Sequence, residues 1–124
     1  MISEIRESDG VTCLAFTFDP TLDNAQVSTM AQEVENAIAT HTDLRLLLDL
    51  RQTHRFEIGA FLSPRGFLAS ARSIGPVSRY AVVGAPTLAA TAVEAFGTLL
   101  PLEARAFPSD DFDQAKRWVW ARIA

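Results

Sequence analysis

Asp49 is the carboxylate of this chain best placed for chemistry. It closes the apolar run Leu44-Arg45-Leu46-Leu47-Leu48-Asp49-Leu50, and ligand sites in open α/β sheets gather at the carboxyl ends of such strands. The stretch Asp49-Leu50-Arg51-Gln52-Thr53 lacks the second Asp and the Gly of the Asp-x-Asp-Gly-Thr nucleophile loop used by haloacid-dehalogenase-type phosphatases. Its context therefore favours an acceptor role for Asp49, toward the following loop or toward an arginine. His41 and His54 are the only histidines. Beside carboxylates they could bind a metal or exchange protons, but neither belongs to a nucleophile motif, and a solvated or helix-capping role suits both. Cys13 lies in an apolar strand, where a lone cysteine behaves as a small hydrophobe. It has no internal disulfide partner, and no Cys/His spacing suits zinc. Gly75, Gly84 and Gly97 stand too far apart to cradle a phosphate, and no Walker-type G-x-x-x-x-G-K occurs. These residues imply no cofactor, no metal and no enzyme.

Charge carries more information. Residues 51–79 hold five arginines (Arg51, Arg55, Arg65, Arg72 and Arg79) and one acid, Glu57, a net of +4, whereas the remaining chain has six bases and fourteen acids, a net of −8. The same segment contains Phe56, Ile58, Phe61, Leu62, Phe67 and Leu68, more large apolar residues than one helix face needs to dock. Cationic and apolar groups side by side suit an apolar anionic ligand such as a lipid, a peripheral membrane contact, or an acidic groove on a protein partner or a second copy. In the binding reading, Phe56, Ile58, Phe61, Leu62 and Phe67 line or cover the apolar site, while Arg51, Arg55 and Arg65 meet a carboxylate or phosphate through bidentate hydrogen bonds. In the competing reading Phe61, Leu62 and Leu68 face the core and the arginines are solvated.

The elements that must position these groups follow from periodicity. Alternating apolar residues over Ile2–Arg6 and Val11–Phe18, joined by Ser8-Asp9-Gly10, predict an opening β-hairpin. Val27, Met30, Ala31, Val34, Ala37 and Ile38 recur at helical spacing, with Thr21 or Asp23 as the cap. Leu44–Leu50 reads as a central strand covered on both faces. Glu57–Arg72 has helical composition, but Ser63-Pro64 interrupts it, so the helix restarts with Ser63 as cap and Pro64 in the first turn. Val77–Gly84 reads as a strand, Pro86 to about Leu100 as a helix and Glu103–Phe107 as a short peripheral strand. A closing helix runs from about Asp110 to Arg122, with Ser109 as its N-cap and Arg117 and Arg122 near its negative end. The order ββαβαβαβα implies a mixed β-sheet with helical crossovers, an α/β fold.

Length and composition agree with one domain over residues 1–124. At 124 residues, 48% hydrophobic and 21% charged, with a mean hydropathy of +0.13, the chain can bury a single core without disulfides or a structural metal. Net charge −4 and a pI near 5.0 disfavour nucleic acid as a partner. No stretch has the length and apolarity of a signal peptide or membrane span, and the unpaired cysteine suits a reducing compartment, so a cytoplasmic location is expected, with peripheral membrane contact compatible.

Leu46-Leu47-Leu48-Asp49-Leu50-Arg51, followed by Phe56-Glu57-Ile58-Gly59-Ala60 and then Tyr80-Ala81-Val82-Val83-Gly84, resembles the SpoIIAA-like family, relatives of the STAS domains. The resemblance extends from the opening hairpin to the closing helix. It implies a small α/β domain similar in architecture to anti-sigma-factor antagonists and, more distantly, to CRAL-TRIO lipid carriers. In the antagonists a serine at the start of the helix after the central strand is phosphorylated, and the added charge switches partner binding. Ile58 occupies that position here and has no hydroxyl, so the resemblance implies a regulatory or protein-interaction module without that switch. Ser63 is nearby but reads better as a helix cap.

Overall fold

The computed structural model describes residues 2–18, 20–53, 55–56, 77–84 and 103–121. The helices expected over Glu57–Arg72 and from Pro86 to about Leu100 lie outside these residues. The chain opens with the hairpin β1 (Ile2–Ser8) and β2 (Val11–Thr17), paired without a break from Ile2↔Thr17 to Ser8↔Val11. Asp9 and Gly10 both have positive φ, 52° and 80°, the conformation that lets a two-residue turn match the twist of its strands. A Cβ on Gly10 would meet nothing within 4 Å. Backbone conformation rather than space therefore selects glycine at this position.

After β3 (Thr21–Leu22), Asp23 caps the helix α1 (Asn24–Thr40) by accepting the Gln26 N–H at 2.9 Å. Its partner strand β5 (Arg55–Phe56), absent from the sequence reading, pairs parallel to β3. The strands β4 (Leu44–Asp49), β6 (Val77–Val83) and β7 (Glu103–Phe107) complete a five-stranded sheet of order β1-β2-β4-β6-β7. Only the β1–β2 pair is antiparallel. This is the expected mixed α/β sheet, with α1 as the crossover between β2 and β4.

Alternation along the strands makes two cores. Leu14, Phe16, Phe18, Leu44, Leu46, Leu48 and Val82 pack with Ala37 and the half-buried Met30, Val34 and Ile38 of α1. On the opposite face Cys13, Leu47, Ala81, Val83 and Phe107 pack with Ala115, Val119 and Trp118 of the closing helix α2 (Phe112–Trp120). β4, central and covered on both sides, is buried at every position. A single-residue bulge makes the two faces compatible in β6. Leu44 pairs with Val77 and Arg45 with Arg79, so Ser78 is skipped. Val77 thereby stays in the α1 core while Arg79 turns to the α2 side.

The start of α2 corrects one expectation. Ser109 is not its N-cap. The Asp111 N–H bonds to the Pro108 carbonyl at 3.0 Å, closing a 3-10 turn over Ser109–Asp111, and the α-helix begins only at Phe112. Ser109 sits inside that turn, and Asp111, the residue in the N-cap position of α2, makes no side-chain cap bond.

Candidate functional site

The carboxyl ends of β4 and β6 meet the turn that carries the first of the candidate arginines. Asp49 Oδ1 accepts the Arg51 backbone N–H at 3.0 Å and Nε at 2.9 Å, and Oδ2 accepts Nη2 at 2.9 Å. This bidentate fork holds the Arg51 guanidinium above its already high ordinary pKa, chiefly through the Asp49 hydrogen bond. The same guanidinium lies 3.6 Å from the Phe112 ring centroid, a cation–π contact at the first turn of α2. Asp49 is thus a buried acceptor that organises its own loop, as its context suggested.

Backbone contacts tighten the same corner. The Leu50 N–H bonds to the Val83 carbonyl at 2.8 Å, and the Gly84 N–H bonds to the Phe107 carbonyl at 2.9 Å. Gly84 has φ 79°, and a Cβ there would meet the Arg51 backbone at 3.1 Å and Ser109 Oγ at 3.0 Å. Only glycine satisfies both the conformation and the approach.

Of the residues expected to bind a ligand or partner, Arg51 stands at this corner. Arg55 and Phe56 begin the segment beyond it, their backbone aligned with Thr21 and Leu22 just before α1. Ile58, Phe61, Leu62, Arg65 and Phe67 lie outside the described residues, as does His54. The charge count over 51–79 also needs correction as a picture of a basic face. Arg79 is buried beneath α2, and Arg51 is paired with Asp49.

Arg79 belongs to a second arrangement that sequence reasoning missed. Arg45 and Arg79, register partners on β4 and β6, both reach the carbonyl end of α2. Arg45 Nη1 donates to the Val119 and Ala121 carbonyls, and Arg79 Nη1 donates to the Trp118 carbonyl. The last carbonyls of a helix lack intrahelical donors and carry the negative end of its dipole, so two cations there satisfy both demands. Asp43, 3.6 Å from Arg45 Nε, and Glu103, 3.1 Å from Arg79 Nε, offset the adjacent like charges. The Glu103 contact is an ion pair rather than an aligned hydrogen bond, because Arg79 Nε has no hydrogen-bonded partner. Arg45, only 2% exposed, was the available signal: a charge inside a central strand must find buried acceptors.

The remaining reactive groups serve the fold. Burial pushes the Cys13 thiol up to about 11, outweighing the nearby Arg45 and Arg6, so it stays protonated at neutral pH. His41 ends α1: its backbone N–H bonds to the Ala37 carbonyl at 3.0 Å, its Nδ1 lies 2.9 Å from that carbonyl, and Nε2 lies 3.1 Å from Glu7 Oε1. It borders a shallow groove of about 380 Å³ lined by Glu7, Ser8, Asp9, Gly10, Thr12, Thr40 and Thr42. Among the described residues no group of three or more His, Cys, Asp or Glu could hold a metal ion, and no described helix is long and apolar enough to cross a membrane.

Comparison with known proteins agrees with this geometry. An uncharacterised protein of the DUF3478 family from Shewanella loihica PV-4, with a SpoIIAA-like fold, superposes with a TM-score of 0.68 at 21% identity, covering 95% of this chain and 92% of that one. No curated protein matches the sequence. The family model described as SpoIIAA-like matches residues 13–120, nearly the whole span from β2 to the end of α2. The chain therefore belongs to the SpoIIAA-like family.

Proposed function

We propose that this chain is a non-enzymatic, STAS-like interaction module that docks a protein partner through the 51–75 segment. The observation that carries the reading is the anchor at the root of that segment. Asp49, Arg51 and Phe112 fix it to the carboxyl end of the sheet, where α/β folds place their ligands. In the sequence beyond that anchor, Arg55, Arg65 and Arg72 alternate with Phe56, Ile58, Phe61, Leu62 and Phe67. This is the residue mixture of an interface hot spot for an acidic, apolar surface. In this reading Arg51 positions the segment, while Arg55 and Arg65 meet the partner's acids. Membership of the SpoIIAA-like family supports a regulatory or interaction role. Ile58 at the antagonist serine position makes that role independent of phosphorylation there.

A second reading is favoured by the same coincidence of phenylalanine and arginine: an apolar anionic ligand, such as a fatty acid or phospholipid, or the membrane surface itself, held by the same side chains. Native mass spectrometry of the purified chain, followed by organic extraction and co-sedimentation with anionic vesicles, separates the two. Protein docking predicts a ligand-free chain that stays off vesicles and a folded Phe61→Asp, Phe67→Asp variant that loses its crosslinked partner. Extracted lipid, or vesicle binding abolished by that variant, would replace the first reading with the second. A variant that changes neither would remove the segment from both.

A further inference from the structure

We propose that the outer edge of β1 is the seam of a two-fold homodimer, in which β1 strands of two copies pair antiparallel about Ile5 and join their sheets into one. The seam is built from β1 alone, and the inference stands whether or not the 51–75 segment docks a partner. Among the described residues β1 ends the sheet. Every residue from Ile2 to Ser8 is exposed, Ile2 at 64% and Ile5 at 58%.

The hairpin dictates which main-chain groups are available. A two-residue turn makes Ser8 and Val11 a hydrogen-bonded pair, and such pairs alternate along an antiparallel ladder. The unbroken register then directs the amides and carbonyls of Ser8, Arg6, Glu4 and Ile2 toward β2. Those of Glu7, Ile5 and Ser3 face the open edge. A two-fold axis at Ile5 therefore gives main-chain bonds between Ile5 and the partner's Ile5, and between Ser3 and the partner's Glu7.

Side chains select that axis. With it, Glu4 stands opposite the partner's Arg6 and Arg6 opposite the partner's Glu4, at non-hydrogen-bonded positions where cross-strand side chains come closest. Within one chain Glu4 Oε2 already lies 3.7 Å from Arg6 Nη2, so the second copy completes an alternating set of charges on one face of the sheet. On the other face Ile5 meets the partner's Ile5 and buries its exposed side chain. Moving the axis by one residue sets Glu4 against the partner's Glu4, or Arg6 against the partner's Arg6, which repel. Edges are guarded against pairing by charged side chains, lysine above all, by proline or by a bulge. β1 reads Ile-Ser-Glu-Ile-Arg-Glu-Ser in unbroken register, with no lysine, proline or bulge, and two of its three charges, Glu4 and Arg6, complement each other across the axis at Ile5.

Sedimentation velocity over a concentration series tests the seam. The native chain is expected to show a concentration-dependent dimer. Ile5→Pro removes an amide that points outward, leaves the β2 ladder intact, and should yield monomer with an unchanged circular dichroism spectrum. Glu4→Arg alone should weaken the dimer about tenfold or more, and the exchange Glu4→Arg, Arg6→Glu should restore it. A native chain that is monomeric at every soluble concentration would overturn the proposal. So would a dimer indifferent to Ile5→Pro, or a folded exchange variant that fails to recover. A dimer lost only on Phe61→Asp, Phe67→Asp would assign the contact to the 51–75 segment instead.

Discussion

α1 and α2 cover opposite faces of one sheet by different physics. α1 runs from Asn24 to Thr40, directly joins the strands it covers, and docks through aliphatic side chains on an apolar floor of Leu14, Phe16, Leu44, Leu46 and Leu48. α2 runs only from Phe112 to Trp120 and rests on a smaller floor. Charged groups from β4, β6 and the turn after β4 grip both its ends. Arg51 stacks on Phe112 at the start, and Arg45 and Arg79 bind the carbonyls at the finish. A long helix can be held by area alone, since burial scales with apolar surface. A short one at the end of a fold gains more from partners for the terminal groups it cannot satisfy itself.

The largest expected effect falls on the aliphatic side. Leu48→Ala removes a side chain that is fully buried beneath α1 and should cost about 3 kcal/mol. Both faces share β4, so urea unfolding followed by far-ultraviolet circular dichroism and by tryptophan fluorescence should shift together. Arg45→Met keeps the volume but leaves the Val119 and Ala121 carbonyls without their donor, an expected loss of about 2 kcal/mol. Both tryptophans, Trp118 and Trp120, lie in α2, so fluorescence should now report loosening before circular dichroism does. Coincident transitions in this variant would show that the grip on α2 is not local.

The smallest effect concerns pH. Cys13, in the α2 core, is raised from 9.0 to about 11 in the folded chain, so folding favours its protonated form. The associated stability is fully present below about pH 9 and is lost as pH rises toward 11. At about pH 10 the loss amounts to about 1 kcal/mol. Cys13→Ala should flatten this alkaline decline relative to the native chain, and an equal decline in both would remove the thiol as its cause.

What the sequence made legible were the elements whose partners are close along the chain. Asp9-Gly10 specified its turn, Asp23 its cap, and Asp49 its arginine two residues on. The unbroken leucines identified β4, and the order of motifs identified the family. Arg45 and Arg79 were not legible, because their acceptors lie in α2, more than thirty residues further along. Neither were β5, too short for any periodicity, and the 3-10 turn at Ser109, decided by the Pro108 carbonyl. Locally formed contacts leave a local pattern, whereas contacts that depend on strand register leave only an odd charge in an apolar run. For the candidate site the sequence supplied Arg51 and its neighbours as a composition, and the structure resolved Arg51 into an anchor and withdrew Arg79 from the surface.

The bulge at Ser78 ties the last element of the chain to the alignment of the first parallel strands. Ser78 Oγ donates to Asp43 Oδ1 at 2.7 Å, fixing where β6 gains its extra residue beside the start of β4. A slip of one residue in either strand would exchange its faces, driving Arg45 or Arg79 into the aliphatic layer under α1 and leaving the end of α2 without donors. The closing helix can therefore find donors for its last carbonyls only on correctly aligned strands, so its seat reads out the register of the sheet beneath it.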